Sequence, residues 1–212
     1  MNEEKTNVKE TKTSNKVLLF ILVVVAIALI VVGIVYATRS NEPKSNVTIE
    51  SAEDMENLIN QVYEGQTENL PGSLMTQAID INDANILKSY TGLDSNENID
   101  AVVVSEPMMS SQAYSFVLVK VKDGADADAV AKTMSEQVDT RKWICVEAEK
   151  LYATSVDNIA VLVMASDEWA TPVYNKLIEI LGAHNEEYTK DNSSVAEPQQ
   201  QEIIPDNAIA TY

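Results

Sequence analysis

The sequence predicts an α+β fold, a two-layer sandwich in which helices cover one face of an antiparallel sheet. Apolar segments rich in β-branched residues alternate with segments of helical period, and the strands come in pairs, in the order ββαββα. The 132 residues of segment 51–182 are enough to form a single hydrophobic core. A single transmembrane helix and an N-terminal ectodomain helix are predicted to precede this sandwich.

The transmembrane helix is predicted from an uncharged apolar run that begins at Val17 and ends at Ala37. As a helix it would extend about 31 Å, close to the roughly 30 Å hydrocarbon thickness of a bilayer. Residues 1–16 hold four lysines, so the positive-inside rule places them in the cytoplasm. We predict a cytoplasmic tail over 1–16 and a signal anchor over 17–37, with cleavage after Ala37 as the alternative.

The chain after this run begins with a polar segment containing Pro43, and we predict a stalk over residues 38–50. Ser51 and Asp54 have the spacing of a capping box, which predicts the start of an amphipathic helix that ends near Gly65. The apolar positions of this helix are Met55, Leu58, Ile59 and Val62. A turn at Pro71-Gly72, an extended piece over 76–81 and a short helix over 83–90 follow.

Residues 99–106 and 114–121 are predicted as a pair of strands, followed by a helix over 126–141. A second strand pair is predicted over 150–155 and 159–164, with Asp157-Asn158 as its turn, and the last helix starts near Ser166-Asp167 and ends before Gly182. The two strand-helix units resemble each other at an offset of 44 residues, which suggests a weak internal repeat.

Residues 183–212 lose the apolar period and are rich in Glu, Asn, Gln and Ser, so an acidic disordered tail is predicted. Ile203, Ile204 and Ile209 offer the alternative of a short strand that adds to a sheet edge.

The net charge of −18, from 15 basic and 33 acidic residues, argues against nucleic acid as a partner. The chain has one Cys and one His, which excludes a disulfide framework and a zinc ribbon. His184 is predicted to be a surface residue and Cys145 a small apolar filler, so no nucleophile-base pair is recognisable. A Ser-Lys dyad has no local pattern. We therefore predict no catalytic, cofactor-binding or metal-binding residues.

The run from Asp123 to Asp128 concentrates three acids around a glycine, but its spacing differs from that of an EF-hand. A turn followed by a helix cap is the preferred interpretation. Trp143 and Trp169, together with the pair Met108-Met109, are the residues best suited to form an exposed apolar patch, although Trp169 is in phase with the core face of its helix.

Between Asn85 and Leu181 lie a set of hydrophobic motifs in a recognisable order. They are Leu87-Lys88-Ser89-Tyr90-Thr91-Gly92, the strand ending Phe116-Val117-Leu118-Val119-Lys120, a charged helix through Arg141, Leu151-Tyr152, and Asn158-Ile159-Ala160-Val161-Leu162-Val163. This order resembles a bacterial domain of unknown function (family 4358), found in membrane-anchored or lipidated chains of clostridial Gram-positive bacteria. The resemblance implies an extracytoplasmic location and an α+β fold class, and no activity or site residues. The chain departs from many such members because a transmembrane anchor replaces the lipidated Cys.

These observations predict a single-pass cell-membrane protein with its C-terminal domain outside the cell. Its predicted role is a non-catalytic interaction or envelope-associated binding module with a protein or cell-wall partner. Two alternatives stay open: an extracellular enzyme acting on cell-wall or external substrate, and a calcium-binding surface domain.

Overall fold

The computed structural model describes residues 15–39, 43–66 and 70–193. The chain divides into two compact units, Met1–Glu42 and Pro43–Tyr212. In chain order the elements are α1 (Asn15–Arg39), α2 (Ala52–Tyr63), β1 (Leu74–Ala78), α3 (Ala84–Thr91), β2 (Ile99–Pro107), β3 (Tyr114–Val121), α4 (Ala127–Gln137), β4 (Lys150–Val156), β5 (Ile159–Ala165), α5 (Asp167–Leu181) and β6 (Tyr188–Asp191).

The first unit contains α1, a helix of 25 residues that includes the apolar run 17–37. Its side chains from position 19 to position 31 are all exposed within this unit. In the part of the chain that the structure describes, no helix is long and apolar enough to cross a membrane. Residues 1–14 of the predicted cytoplasmic tail lie outside the described residues.

The second unit is built on a six-stranded sheet with the strand order β1-β2-β3-β5-β4-β6, in which every neighbouring pair is antiparallel. This confirms the antiparallel sheet and the order ββαββα of its central elements. The predicted turn is also present, since Asp157 has a φ of 49° between β4 and β5. The helix predicted over 126–141 is shorter, because Val138 adopts an extended conformation and ends α4.

Helices cover both faces of the sheet, so the predicted two-layer arrangement is wrong and the domain has three layers. In one core, α2 and α5 pack on sheet side chains such as Phe116 and Val161. In the other core, α3 and α4 pack on the opposite face of the sheet, on side chains such as Val117 and Leu162. All seven residues of β5 are buried. Continuous apolar runs of this kind are typical of strands that are buried on both faces. The run in β5 therefore indicated helices on both faces of the sheet.

The opposite positions of α4 and α5 follow from the topology. β3 and β4 flank β5, so α4 connects two parallel strands, and α5 likewise connects β5 and β6 on either side of β4. Both crossovers move in the same direction across the sheet, but they start from strands that run in opposite directions. Since such crossovers are right-handed in nearly all proteins, the two helices must cover opposite faces. The weak sequence repeat therefore does not produce two equivalent halves.

From residue 43 onwards the segment predicted as a stalk over 38–50 is part of the domain, whereas residues 38 and 39 belong to α1. Ser45 donates its backbone N–H to Asp157 Oδ2 at 2.9 Å, and Asn46 donates to the carbonyl of Leu181 at 2.8 Å. Ile49 is buried in the core beside α2. The prediction of a stalk of extended or flexible chain is thus wrong for residues 43–50. Ile49 and the partly buried Val47 were too few in a polar segment to indicate packing against a core. Residues 40–42 lie outside the described part.

Past Gly182 the prediction of disorder is wrong as well, because β6 pairs with β4 over four residues. Exposed and half-buried side chains alternate along this short polar edge strand, so it has no apolar run to reveal it in the sequence. Residues 194–212, with Ile203, Ile204 and Ile209, lie outside the described residues.

Candidate functional site

A cleft of about 640 Å³ lies at one end of the domain, and three chain segments line it. They are the connection between β2 and β3 at 111–113, the irregular segment between α4 and β4, and the start of α5. The lining residues are Ser111, Gln112, Ala113, Arg141, Trp143, Cys145, Val146, Glu147, Glu149, Ser166, Glu168 and Trp169.

Backbone hydrogen bonds hold these segments together, although the segment between α4 and β4 contains neither helix nor strand. Ile144 donates its N–H to the carbonyl of Ser110 at 2.9 Å, which joins this segment to the β2–β3 connection. Ala148 donates to Thr140 at 2.9 Å and closes the segment on itself. The start of α5, which is the third lining segment, is held by the N–H of Asp167, which donates to Glu149 Oε2 at 2.9 Å.

The polar lining is dominated by hydrogen-bond acceptors. The carboxylates of Glu147, Glu149 and Glu168 outnumber the single guanidinium of Arg141. Among the described residues, the side chains of Arg141 and Glu168 have no hydrogen-bond or ion-pair partner. The side-chain oxygens Gln112 Oε1 and Ser166 Oγ are buried and also lack one. Because its carboxylates accept hydrogen bonds, the cleft is suited to a ligand that donates them.

Behind Trp143 lies a buried ion pair between Lys142 and Glu106, whose side chains are only 11% and 20% exposed. Ser115 donates to the same Glu106 Oε1 at 2.6 Å, and Lys142 Nζ lies 5.3 Å from the Trp143 ring centroid and 4.8 Å from that of Tyr90. Burial lowers the pKa of Lys142 against the opposing effect of Glu106. The cluster holds the Trp143 indole in position at the edge of the cleft.

The segments that line the cleft also carry exposed apolar side chains. Met108 and Met109, just before the lining residues 111–113, are 73% and 59% exposed, and Ile144, between the lining residues Trp143 and Cys145, is 65% exposed. The predicted exposed patch is confirmed for the two methionines. Trp169 packs partly against the core, as its helical phase predicts, and also lines the cleft.

The prediction that Cys145 is an apolar filler is wrong. Its side chain is exposed and its backbone has a φ of 61°, which is uncommon for a residue other than glycine. The adjacent Trp143 and Ile144 suggested burial in the sequence, but this segment crosses the surface without a regular element. His184 is only 25% exposed in its side chain, and its described contacts are with Thr154, Asn185 and Glu187.

The described residues therefore do not bring Cys145 and His184 together. Ser115 and Lys142 do meet, with 3.5 Å between Oγ and Nζ, but Ser115 is fully buried and cannot reach a substrate. The sequence offered no signal for this pair, because 27 residues separate its members.

The acidic run from Asp123 to Asp128 forms a turn and a helix cap, as preferred from the sequence. Asp126 caps α4 by accepting from the N–H groups of Asp128 and Ala129, both at 3.0 Å. Asp128 accepts from Ser155 Oγ and Tyr188 OH. Within the described ranges, no three His, Cys, Asp or Glu side chains are grouped so as to hold a metal ion.

Comparison with known proteins adds a family match and no activity. Residues 73–147 match the model of a family described as a domain of unknown function (DUF4358). The match supports the predicted family for roughly a third of the chain. It includes the β2–β3 connection and the residues up to Glu147 that line the cleft. No curated protein and no solved structure matches the chain.

Proposed function

We propose that this chain is a single-pass membrane protein that displays a non-catalytic binding module outside a Gram-positive, clostridial cell. The anchor is supported by the uncharged run 17–37, by the lysines before it and by the helical conformation of α1. Exposed apolar side chains such as those at positions 19–31 of α1 are unfavourable in water, and a bilayer is one environment that would cover the apolar run 17–37 of the sequence.

The cleft is the single observation that carries the binding role. It combines two tryptophans and a surplus of acceptors, and its segments carry exposed methionine and isoleucine side chains. Small-molecule and peptide sites have this composition of apolar walls with a few polar groups. Isolated exposed apolar residues are common, but Met108, Met109 and Ile144 lie on two connections joined by a backbone hydrogen bond.

Crosslinking in cells tests this role. A photoreactive amino acid replaces Ile144 at the edge of the cleft in the full chain, and Asn175, an exposed position on α5, is the matched control. We expect a discrete crosslinked species from position 144 and none of that size from position 175. Equal patterns from both positions, or no adduct from position 144, would contradict a binding role for the cleft.

A further inference from the structure

The charge of the cleft indicates which ligand it favours. Three carboxylates and one guanidinium leave its lining with an excess of negative charge, and residues 43–193 as a whole contain 26 acidic and 10 basic residues. An anionic ligand is therefore repelled, and a cationic one is attracted both at a distance and inside the cleft.

The hydrogen-bonding groups and the aromatic rings favour the same chemistry. The carboxylate of Glu168 has no described partner and accepts hydrogen bonds, so it is suited to a ligand with N–H groups. The faces of tryptophan rings attract ammonium and guanidinium groups. Because the ammonium of Lys142 already lies over the Trp143 ring, Trp169 is the tryptophan suited to a ligand cation. A lysine or arginine side chain supplies both the charge and the donors.

The exposed aliphatic side chains near the cleft favour a polypeptide segment as the ligand. Met108, Met109 and Ile144 present flexible or branched aliphatic side chains next to the cleft. Such side chains adapt to the apolar residues of a peptide. A neutral sugar gains little from the excess of carboxylates.

We propose that the cleft binds a basic, partly apolar segment of another polypeptide, with a cationic side chain beside Trp169 and Glu168. The apolar residues of that segment pack on Met108, Met109 and Ile144. This inference rests on the proposed function and specifies the partner of the same cleft.

The test measures binding of short fluorescent peptides to the full chain in lipid nanodiscs. The probe is a five-residue peptide of alternating lysine and leucine, and its matched control has glutamate in place of lysine. We expect saturable binding of the lysine peptide, weakened by salt, and none of the glutamate peptide. Equal binding of both peptides, or of neither, would overturn the inference.

Two double variants locate the binding. Glu147→Gln with Glu168→Gln removes two charges from the cleft, whereas Glu53→Gln with Glu136→Gln removes two exposed charges elsewhere. We expect Kd to rise about tenfold in the first variant and less than about twofold in the second. Equal effects would show that the peptide binds to the acidic surface in general and would overturn the inference.

A tetramer of N-acetylglucosamine serves as the competing ligand. If it displaces the peptide, the cleft is a carbohydrate site and the inference is wrong. A second result is that the lysine peptide fails to bind while the photoreactive residue at position 144 still forms a discrete adduct in cells. That result would reject the basic partner and leave the proposed binding module intact. Loss of both signals would reject the binding module itself.

Discussion

At the scale of single residues, Gly92 shows how closely two helices meet. It ends α3 with a φ of 77°, and a Cβ added there would lie 2.5 Å from Val138 N and 2.7 Å from Gln137 C. Because both contacts are to backbone atoms at the end of α4, no side-chain rotation relieves them. The position therefore requires glycine both for its φ angle and for its packing.

Replacing Gly92 with alanine should destabilise the domain by more than the φ angle alone explains. Gly65 is the matched control, since its φ of 75° is similar but nothing lies within 4 Å of an added Cβ. We expect Gly65→Ala to lower the free energy of unfolding by about 1 kcal/mol. Gly92→Ala should lower it by about 3 kcal/mol, because overpacking against backbone adds to the strain. Chemical denaturation measures both, and equal losses would contradict the close approach.

Residue-level prediction from the sequence succeeded where the signal is local. The Ser51 and Asp54 capping box is present, with Ser51 N–H donating to Asp54 Oδ2 at 2.9 Å and Asp54 N–H donating to Ser51 Oγ at 3.2 Å. Cys145 and the lining carboxylates depend instead on how three distant segments meet. No local spacing in the sequence indicates where these segments meet. The sequence therefore pointed only to the apolar residues in and near the cleft, namely Trp143, Trp169, Met108 and Met109.

At the scale of elements, β6 is held to β4 by four register pairs and by an ion pair between Lys150 and Asp191 with 2.5 Å between Nζ and Oδ2. The hydrogen bonds from Lys150 and Ser193 hold the pKa of Asp191 well below its usual value of 3.8. The same bond from Lys150 to Asp191 raises the pKa of Lys150. A carboxylate with a lowered pKa stabilises the folded state above the unfolded pKa and loses that effect as the pH falls.

The pH dependence of β6 can be checked with Asp191→Asn. At pH 6 we expect the variant to have a slightly lower Tm than the original chain, because the ion pair is missing. The difference should shrink as the pH falls below about 4, because the carboxylate then takes up a proton in the unfolded chain while its lowered pKa keeps it charged in the folded chain. Asp94→Asn, which removes an ion pair with Lys88 that is 63% and 79% exposed, is the control for a surface pair. A difference in Tm that is constant from pH 6 to pH 2 would contradict the role of Asp191.

Element-level prediction was accurate for the four central strands and located α2, α3 and α5, but it missed β6 and the faces on which α4 and α5 lie. The strand predicted over 114–121 matches β3 at both ends because its eight residues are nearly all apolar or β-branched. The placement of α4 and α5 on one face was wrong because β6 was not predicted. Without β6, the second parallel crossover, which forces α5 to the opposite face, was not apparent.

At the scale of the whole molecule, charge and apolar surface are separated along the chain. The net charge of −18 combines four bases and three acids in residues 1–16 with 11 bases and 30 acids in residues 38–212. In the proposed arrangement the acidic domain is repelled by the anionic surface of its own membrane, which keeps the cleft available to partners. A basic partner segment is attracted by the same charge.

The central claim is that this cleft is displayed outside the cell and occupied by a partner. Cys145 is the only cysteine in the chain, and it is exposed on the cleft, so its thiol reports on both points. The measurement is its rate of labelling by a membrane-impermeant maleimide in intact cells and in the purified chain. A Cys145→Ser variant with Asn175→Cys provides the control thiol away from the cleft.

We predict that Cys145 is labelled in intact cells without permeabilisation. Relative to the control thiol, its labelling should be slower in cells than in the purified chain, because a bound partner covers the cleft. Labelling that requires permeabilised cells would contradict the proposed orientation. Equal relative rates in cells and in the purified chain would contradict an occupied cleft.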